Sequence, residues 1–145
     1  RNIGLERDAN KGIISTNPEN HQKMVLTRQA KIDQVANQIP LLEVQGNQES
    51  DTLLVGWGST EGHLHAAANE LGCALAHFNY INPLPKNTEE VLRQYKHIVV
   101  CELNNGQFAA YLRSKIKGIS LEQYNELTAQ PFAVDRIVNF VKNTL

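Results

Sequence analysis

Three stretches of this chain, TLLVGWG (52–58), CALAHFNY (73–80) and HIVVCEL (97–103), are apolar along most of their length, and each closes in glycine or polar residues. A segment with residues at helical spacing follows each one. A strand that is apolar on both faces has to be covered on both faces. The alternation therefore predicts a parallel sheet with helices on either side. LLEV (41–44) lies ahead of these strands and is joined to the next by a polar turn, GNQESD, instead of a helix, so it is expected to run antiparallel at an edge. A weak strand is expected near Gln123 to Thr128. The predicted fold class is α/β, a three-layer α/β/α arrangement around a mixed, mostly parallel sheet of four or five strands.

The helices carry their own signals. Asn17-Pro18-Glu19 offers an N-cap, a proline at the first helical position and an acid in the first turn. Val25, Ile32, Val35, Ala36 and Ile39 then recur at helical spacing up to Pro40, which predicts an amphipathic helix over about 18–38. Further helices are expected over Thr60–Leu71, from a cap at Asn87 or Thr88 through Arg93, and over Gln107–Ile116. The last carries Val134, Ile137, Val138, Val141 and Leu145 on one stripe. The first sixteen residues have no clean period and read as an extended lead-in. The chain begins Arg-Asn-Ile-Gly without an initiator methionine, and its one methionine is Met24 inside a helix, so it is expected to be a piece of a longer polypeptide.

At 145 residues, 41% apolar, 20% charged and a formal charge of −1, the composition is globular. The balanced charge argues against nucleic acid as the main partner, since phosphate neutralisation needs a basic excess. No window approaches the ~18 consecutive apolar residues of a membrane span. Cys73 and Cys101 sit in apolar runs without a CxxC spacing and are expected to be reduced core residues, not a disulfide or an iron–sulfur site.

In open α/β sheets the carboxyl ends of the strands carry the site. Those ends read Gly56-Trp57-Gly58-Ser59-Thr60, then Asn79-Tyr80-Ile81-Asn82, then Glu102-Leu103-Asn104-Asn105-Gly106-Gln107. GWGST looks like half of a phosphate-binding turn, with Ser59 or Thr60 capping a helix whose N-terminus attracts anions. It lacks both GxGxxG and a Walker lysine, and the plainer reading is an ordinary strand-to-helix turn. In ELNNGQ, Glu102 is expected to accept hydrogen bonds from a neighbouring loop while Asn104 and Gln107 present amides to a ligand or partner. The plainer reading has Asn105-Gly106 as a tight turn, Gly106 at positive φ, and Glu102 capping local amides. The candidate edge is thus Ser59, Thr60, Asn82, Glu102, Asn104 and Gln107. His63 and His65 point to different helix faces and cannot share a metal, and His77 and His97 read as buried or capping side chains; no metal ligands are assigned. No nucleophile elbow or acidic pair is apparent, and no catalytic residue is assigned.

Several motifs taken together carry a resemblance. GLERDANKGIISTNPENHQKMVLTRQAKI, LLVGWGSTEGHLHAA, NYINPLPKNTEEVL, VVCELNNGQFAAYLR and TAQPFAVDRIVNF, in that order over nearly the whole chain, resemble the C-terminal domain of the α subunit of 2-oxoacid:ferredoxin oxidoreductases. The 2-oxoglutarate branch is the most similar, and INPLP and ELNNGQ are the most specific motifs. The resemblance implies a transketolase C-terminal-like fold, a mixed five-stranded sheet with one antiparallel strand. It implies a cytoplasmic parent enzyme that decarboxylates a 2-oxoacid on thiamine diphosphate with Mg, transfers the acyl group to coenzyme A and passes electrons through iron–sulfur clusters to ferredoxin. None of these cofactors is expected on this domain, which would support assembly and wall the active-site channel. Residues 1–16 would then be the linker from a missing N-terminal catalytic domain, and 17–145 the α/β domain. The implied partners are that N-terminal domain, the β subunit, ferredoxin through the whole complex, and a further copy of the chain. Two rivals keep similar folds: the C-terminal domain of a transketolase or 2-oxoacid dehydrogenase β chain, and a flavodoxin-like nucleotide-binding module.

Overall fold

The structure, a computed structural model, describes residues 6–145. Of the expected lead-in, residues 1–5 lie outside the described residues. The rest departs from the extended segment expected: β1 (Glu6–Arg7) and β2 (Ile14–Ser15) pair antiparallel as a hairpin. Its turn is built by Asp8, whose carboxylate accepts from the amides of Asn10 (2.9 Å) and Lys11 (2.8 Å), with Gly12 at φ 67°. α1 (Pro18–Val35) follows, and the Asn17 side chain accepts from the Asn20 amide at 2.7 Å, as the cap signal required. The helix is shorter than expected, and the face expected to be buried is not, since α1 has no buried residue and Val25, Leu26, Ile32 and Val35 are exposed. These elements, up to Ile39, form one compact unit with Asn82–Leu84; Pro40–Ile81 and Pro85–Leu145 form a second.

The second unit contains the sheet. Its strands are β3 (Val44–Gly46), β4 (Thr52–Trp57), β5 (Ala74–Phe78), β6 (His97–Glu102) and β7 (Glu122–Asn125), in the spatial order β3-β5-β4-β6-β7. β3 runs antiparallel to β5 at one edge, and the other pairings are parallel. The helices are α2 (Glu61–Leu71), α3 (Thr88–Leu92), α4 (Gln107–Lys115) and α5 (Val134–Thr144), with a single 3-10 turn at Gly58–Thr60 leading into α2. The sheet is therefore five-stranded, mixed and mostly parallel, as the continuous apolar runs demanded.

Alternation along the strands divides the core. Leu54, Leu75, Val99 and Cys101 face one side, where Leu64, Ala67 and Ala68 of α2 and Ile137, Val138 and Val141 of α5 cover them. Phe78 faces the other side, where Phe108 of α4 meets it edge-on at 5.0 Å between ring centres. Leu53, Leu54, Val55, Val99 and Val100 are fully buried, and each such side chain contributes about 1.5–3 kcal/mol of transfer free energy. Both cysteines are free and buried, and burial pushes the Cys73 thiol up to about 11 and the Cys101 thiol higher still.

One cap is used differently from the expectation. Asn87 precedes α3 but makes no cap bond; its amide accepts from the Leu42 amide (2.8 Å) and donates to the Leu42 carbonyl (2.9 Å). Thr88 turns its hydroxyl back to the Pro85 carbonyl at 2.6 Å. Long-range satisfaction of Leu42 outweighs the local cap, because Leu42 has no ladder partner and needs its buried backbone groups met.

Candidate site at the switch point of the sheet

β4 has β5 on one side and β6 on the other. The chain leaves β4, passes through α2 to β5, and then crosses to β6. The connections leaving β4 and β6 therefore diverge to opposite faces, and the crevice between them is the topological switch point where such sheets bind ligands. A cavity of about 300 Å3 lies there, lined by Trp57, Gly58, Ser59 and Thr60 from the β4 end and by Leu103, Asn104 and Gln107 from the β6 end. A second hollow of about 270 Å3 shares Ser59 and Leu103 with it and continues to His63 and Gln130. Four of the six candidate residues, Ser59, Thr60, Asn104 and Gln107, thus come together on one cavity wall. Asn82 falls in the first compact unit and is not among the cavity's lining residues.

Glu102 is fully buried at the end of β6. Its Oε1 accepts from the Phe108 amide (2.8 Å), the Asn104 side-chain amide (3.0 Å) and the Trp57 indole Nε1 (3.3 Å), and its Oε2 accepts from the Ala109 amide (3.0 Å). One carboxylate therefore caps the first turn of α4 and ties it to the end of β4. The sequence offered these as competing readings, a neighbouring loop or local amides, and the structure combines them. A buried carboxylate at a helix N-terminus is stabilised by both the amides and the helix dipole.

Asn104 differs from the expectation. Its side chain does not reach outward: Oδ1 accepts from the amides of Gly106 (2.9 Å) and Gln107 (3.0 Å), while Nδ2 donates to Glu102. Gly106 does adopt positive φ, at 82°, and an added Cβ would run into the side chains of Gln123 and Asn125. The amides of Gly106, Gln107, Phe108 and Ala109 are thus all bonded within the protein, so the α4 N-terminus is closed to a phosphate. Thr60 is 4% exposed and donates to the Trp57 carbonyl at 2.9 Å instead of capping α2. Gly56 exists for this packing, since a Cβ there would strike Leu64 and Thr60. What remains outward at the cavity is Ser59 and Gln107, both exposed, beside the half-buried Trp57.

The cofactors implied by the resemblance meet these residues differently. An iron–sulfur cluster needs several accessible thiolates, and the two cysteines here are buried with raised thiol pKa values, so they do not fit one. Among the described residues no group of three or more His, Cys, Asp or Glu side chains can hold a metal ion, and the filled α4 N-terminus does not fit a diphosphate. No described helix is long and apolar enough to cross a membrane.

No protein-family model matches the chain. It is 40% identical over 148 aligned residues to the 2-oxoglutarate oxidoreductase subunit KorA of Mycobacterium tuberculosis, and the match takes in 98% of this chain but 22% of that subunit. A 2-oxoglutarate:ferredoxin oxidoreductase from Magnetococcus marinus, solved with 2-oxoglutarate, coenzyme A and succinyl-CoA bound, superposes with a TM-score of 0.83 at 26% identity, over 94% of this chain and 25% of that one. By sequence and by fold, this chain is similar to a segment of these two enzymes, and it spans about a quarter or less of their length.

Proposed function

We propose that this chain is the C-terminal domain of the α subunit of a 2-oxoglutarate:ferredoxin oxidoreductase. The parent enzyme oxidatively decarboxylates 2-oxoglutarate, transfers the succinyl group to coenzyme A and delivers the electrons to ferredoxin in the cytoplasm. Thiamine diphosphate, Mg and the iron–sulfur clusters belong to other parts of that enzyme. This domain meets its own N-terminal domain and the β subunit, and it serves assembly and the wall of the active-site channel.

The observation that carries the role is the state of Glu102. No carboxylate is among the residues lining the switch-point cavity; Glu102 is fully buried behind it, and four hydrogen bonds from the protein already occupy Glu102. A general base needs a free lone pair within reach of a substrate proton. The groups left facing outward, Ser59 and Gln107, are uncharged and suit a wall or a contact surface. Against the alternative of a nucleotide held at GWGST, the Thr60 hydroxyl turns inward to the Trp57 carbonyl.

The test is anoxic turnover of the complete enzyme, the full α chain co-expressed with its β subunit. Ferredoxin reduction is followed with 2-oxoglutarate, pyruvate and branched 2-oxoacids, each with and without coenzyme A. The proposal requires coenzyme A-dependent reduction that is fastest with 2-oxoglutarate. An intact, cofactor-loaded complex that reduces nothing overturns it.

A further inference from the structure

Beyond that reading, and independent of it, a separate cavity lies at the mouth of β5. It measures about 170 Å3, and its lining includes Leu41, Glu43, Gln45, Glu61, His77 and Tyr80. His77 is 9% exposed. Its Nε2 lies 3.1 Å from the Gly58 carbonyl oxygen. A carbonyl only accepts, so Nε2 keeps its hydrogen and the Nδ1 of the neutral ring is a bare lone pair. That Nδ1 is buried and has no hydrogen-bond partner. The Glu61 carboxylate is 3.9 Å away, beyond hydrogen-bond distance and without a hydrogen to give. A buried acceptor left unmet is costly, and buried polar atoms of folded proteins are nearly always satisfied.

We propose that this cavity binds a primary ammonium group on a short aliphatic stem, with His77 Nδ1 and the Glu61 carboxylate as acceptors. The charge is complementary, because two carboxylates and no lysine or arginine line the space. A divalent metal is disfavoured, since no described cluster reaches three candidate ligands. An ammonium brings three hydrogens of its own and matches a bare nitrogen beside a carboxylate. Leu41 and the Tyr80 ring, both exposed, offer apolar contact to the stem. Glu61 alone has a plainer explanation, because an acid in the first turn of α2 complements the helix dipole; a protonated His77 would form an ion pair with it only at 3.9 Å and would still leave Nδ1 without a hydrogen bond. The ammonium has two sources, a free small amine or a lysine side chain of an adjoining protein segment.

The test treats the complete enzyme with a water-soluble carbodiimide and n-butylamine, and reads carboxyl modification by peptide mass spectrometry. Once the carbodiimide has activated Glu61, the bound ammonium gives a proton to His77 Nδ1 and the free amine attacks the acyl carbon, expelling the urea. Glu61 should therefore form the butylamide about fivefold faster or more than Glu70 and Glu90, which are exposed outside the cavity. A Glu61–lysine cross-link in place of the butylamide also supports the site and assigns it to a protein-borne amine. His77→Gln keeps an amide hydrogen for the Gly58 carbonyl but lacks Nδ1, and should abolish the preference for Glu61. Glu61→Gln leaves a half-exposed side chain of the same shape, so folding is not at stake, and n-butylammonium should bind it about tenfold more weakly by calorimetry. Modification of Glu61 at the rate of Glu70 and Glu90 overturns the proposal, as does calorimetric binding that is unaffected by Glu61→Gln.

Discussion

Glu102 shows how much one side chain contributes at the end of a strand. Replacing it with alanine leaves the buried Phe108 and Ala109 amides without acceptors and frees the Trp57 indole. Orphaned buried groups each cost about 1–3 kcal/mol, so Glu102→Ala should lower unfolding stability by about 3–5 kcal/mol in a urea titration. An unchanged midpoint would mean that the carboxylate does not hold α4. Gly106 makes a second comparison. Gly106→Ala combines positive φ with a clash against Gln123 and Asn125, whereas Gly118→Ala has φ 71° and open space. The first should cost about 2–3 kcal/mol and the second about 1 kcal/mol. Equal losses would show that backbone conformation alone sets the penalty.

At the scale of elements, burial and apolar pattern part company. In α5, Ile137 is fully buried, so Ile137→Ala should cost about 2–5 kcal/mol. Leu26 of α1 is 61% exposed, and Leu26→Ala should change the stability of this chain by less than about 0.5 kcal/mol. Comparable losses at both positions would contradict the burial described for α1. The hairpin and α1 meet through Glu6, whose carboxylate accepts from both Arg28 terminal nitrogens at 3.1 and 2.9 Å. The Arg28 guanidinium, helped by the Arg7 amide, holds the Glu6 carboxyl down to about 2 from 4.5. With the folded value below the unfolded one, this pair stabilises the fold above about pH 4.5, and its contribution is lost as pH falls through about 2. An NMR titration of the Glu6 carboxyl should find the low midpoint, and Arg28→Ala should return it toward the ordinary value; a wild-type midpoint near 4.5 would contradict the pairing.

These elements also show what the sequence could and could not reveal. β4, β5 and β6 were legible because runs buried on both faces are continuous, and α5 was legible because its stripe is buried as spaced. α1 obeys the same spacing, yet spacing reports only that a face can be covered. The hairpin strands are two residues long, too short to show a period. At the site, Gly106 was legible from Asn-Gly, while the inward turn of Asn104 and Thr60 was not, because a short polar side chain reads the same whether it bonds its own backbone or a ligand. The orphaned His77 nitrogen depends on where Gly58 places its carbonyl, which no local pattern encodes.

For the whole molecule, we read the switch-point edge as architecture contributed to a larger enzyme, with its chemistry supplied elsewhere. Parallel strands, divergent connections and a polar mouth also describe many catalytic domains. What distinguishes this one is that no carboxylate lines its cavity, and Glu102 behind it is spent on the protein's own amides and the Trp57 indole. The direct measurement is turnover of the complete enzyme carrying Glu102→Gln, assayed with saturating 2-oxoglutarate and coenzyme A at a temperature where circular dichroism shows it folded. An architectural Glu102 should leave kcat within about tenfold of the unsubstituted enzyme together with a lowered melting temperature, whereas loss of a general acid or base costs about 10²–10⁴-fold. A folded Glu102→Gln enzyme with kcat reduced a hundredfold or more would contradict it and place Glu102 in the chemistry.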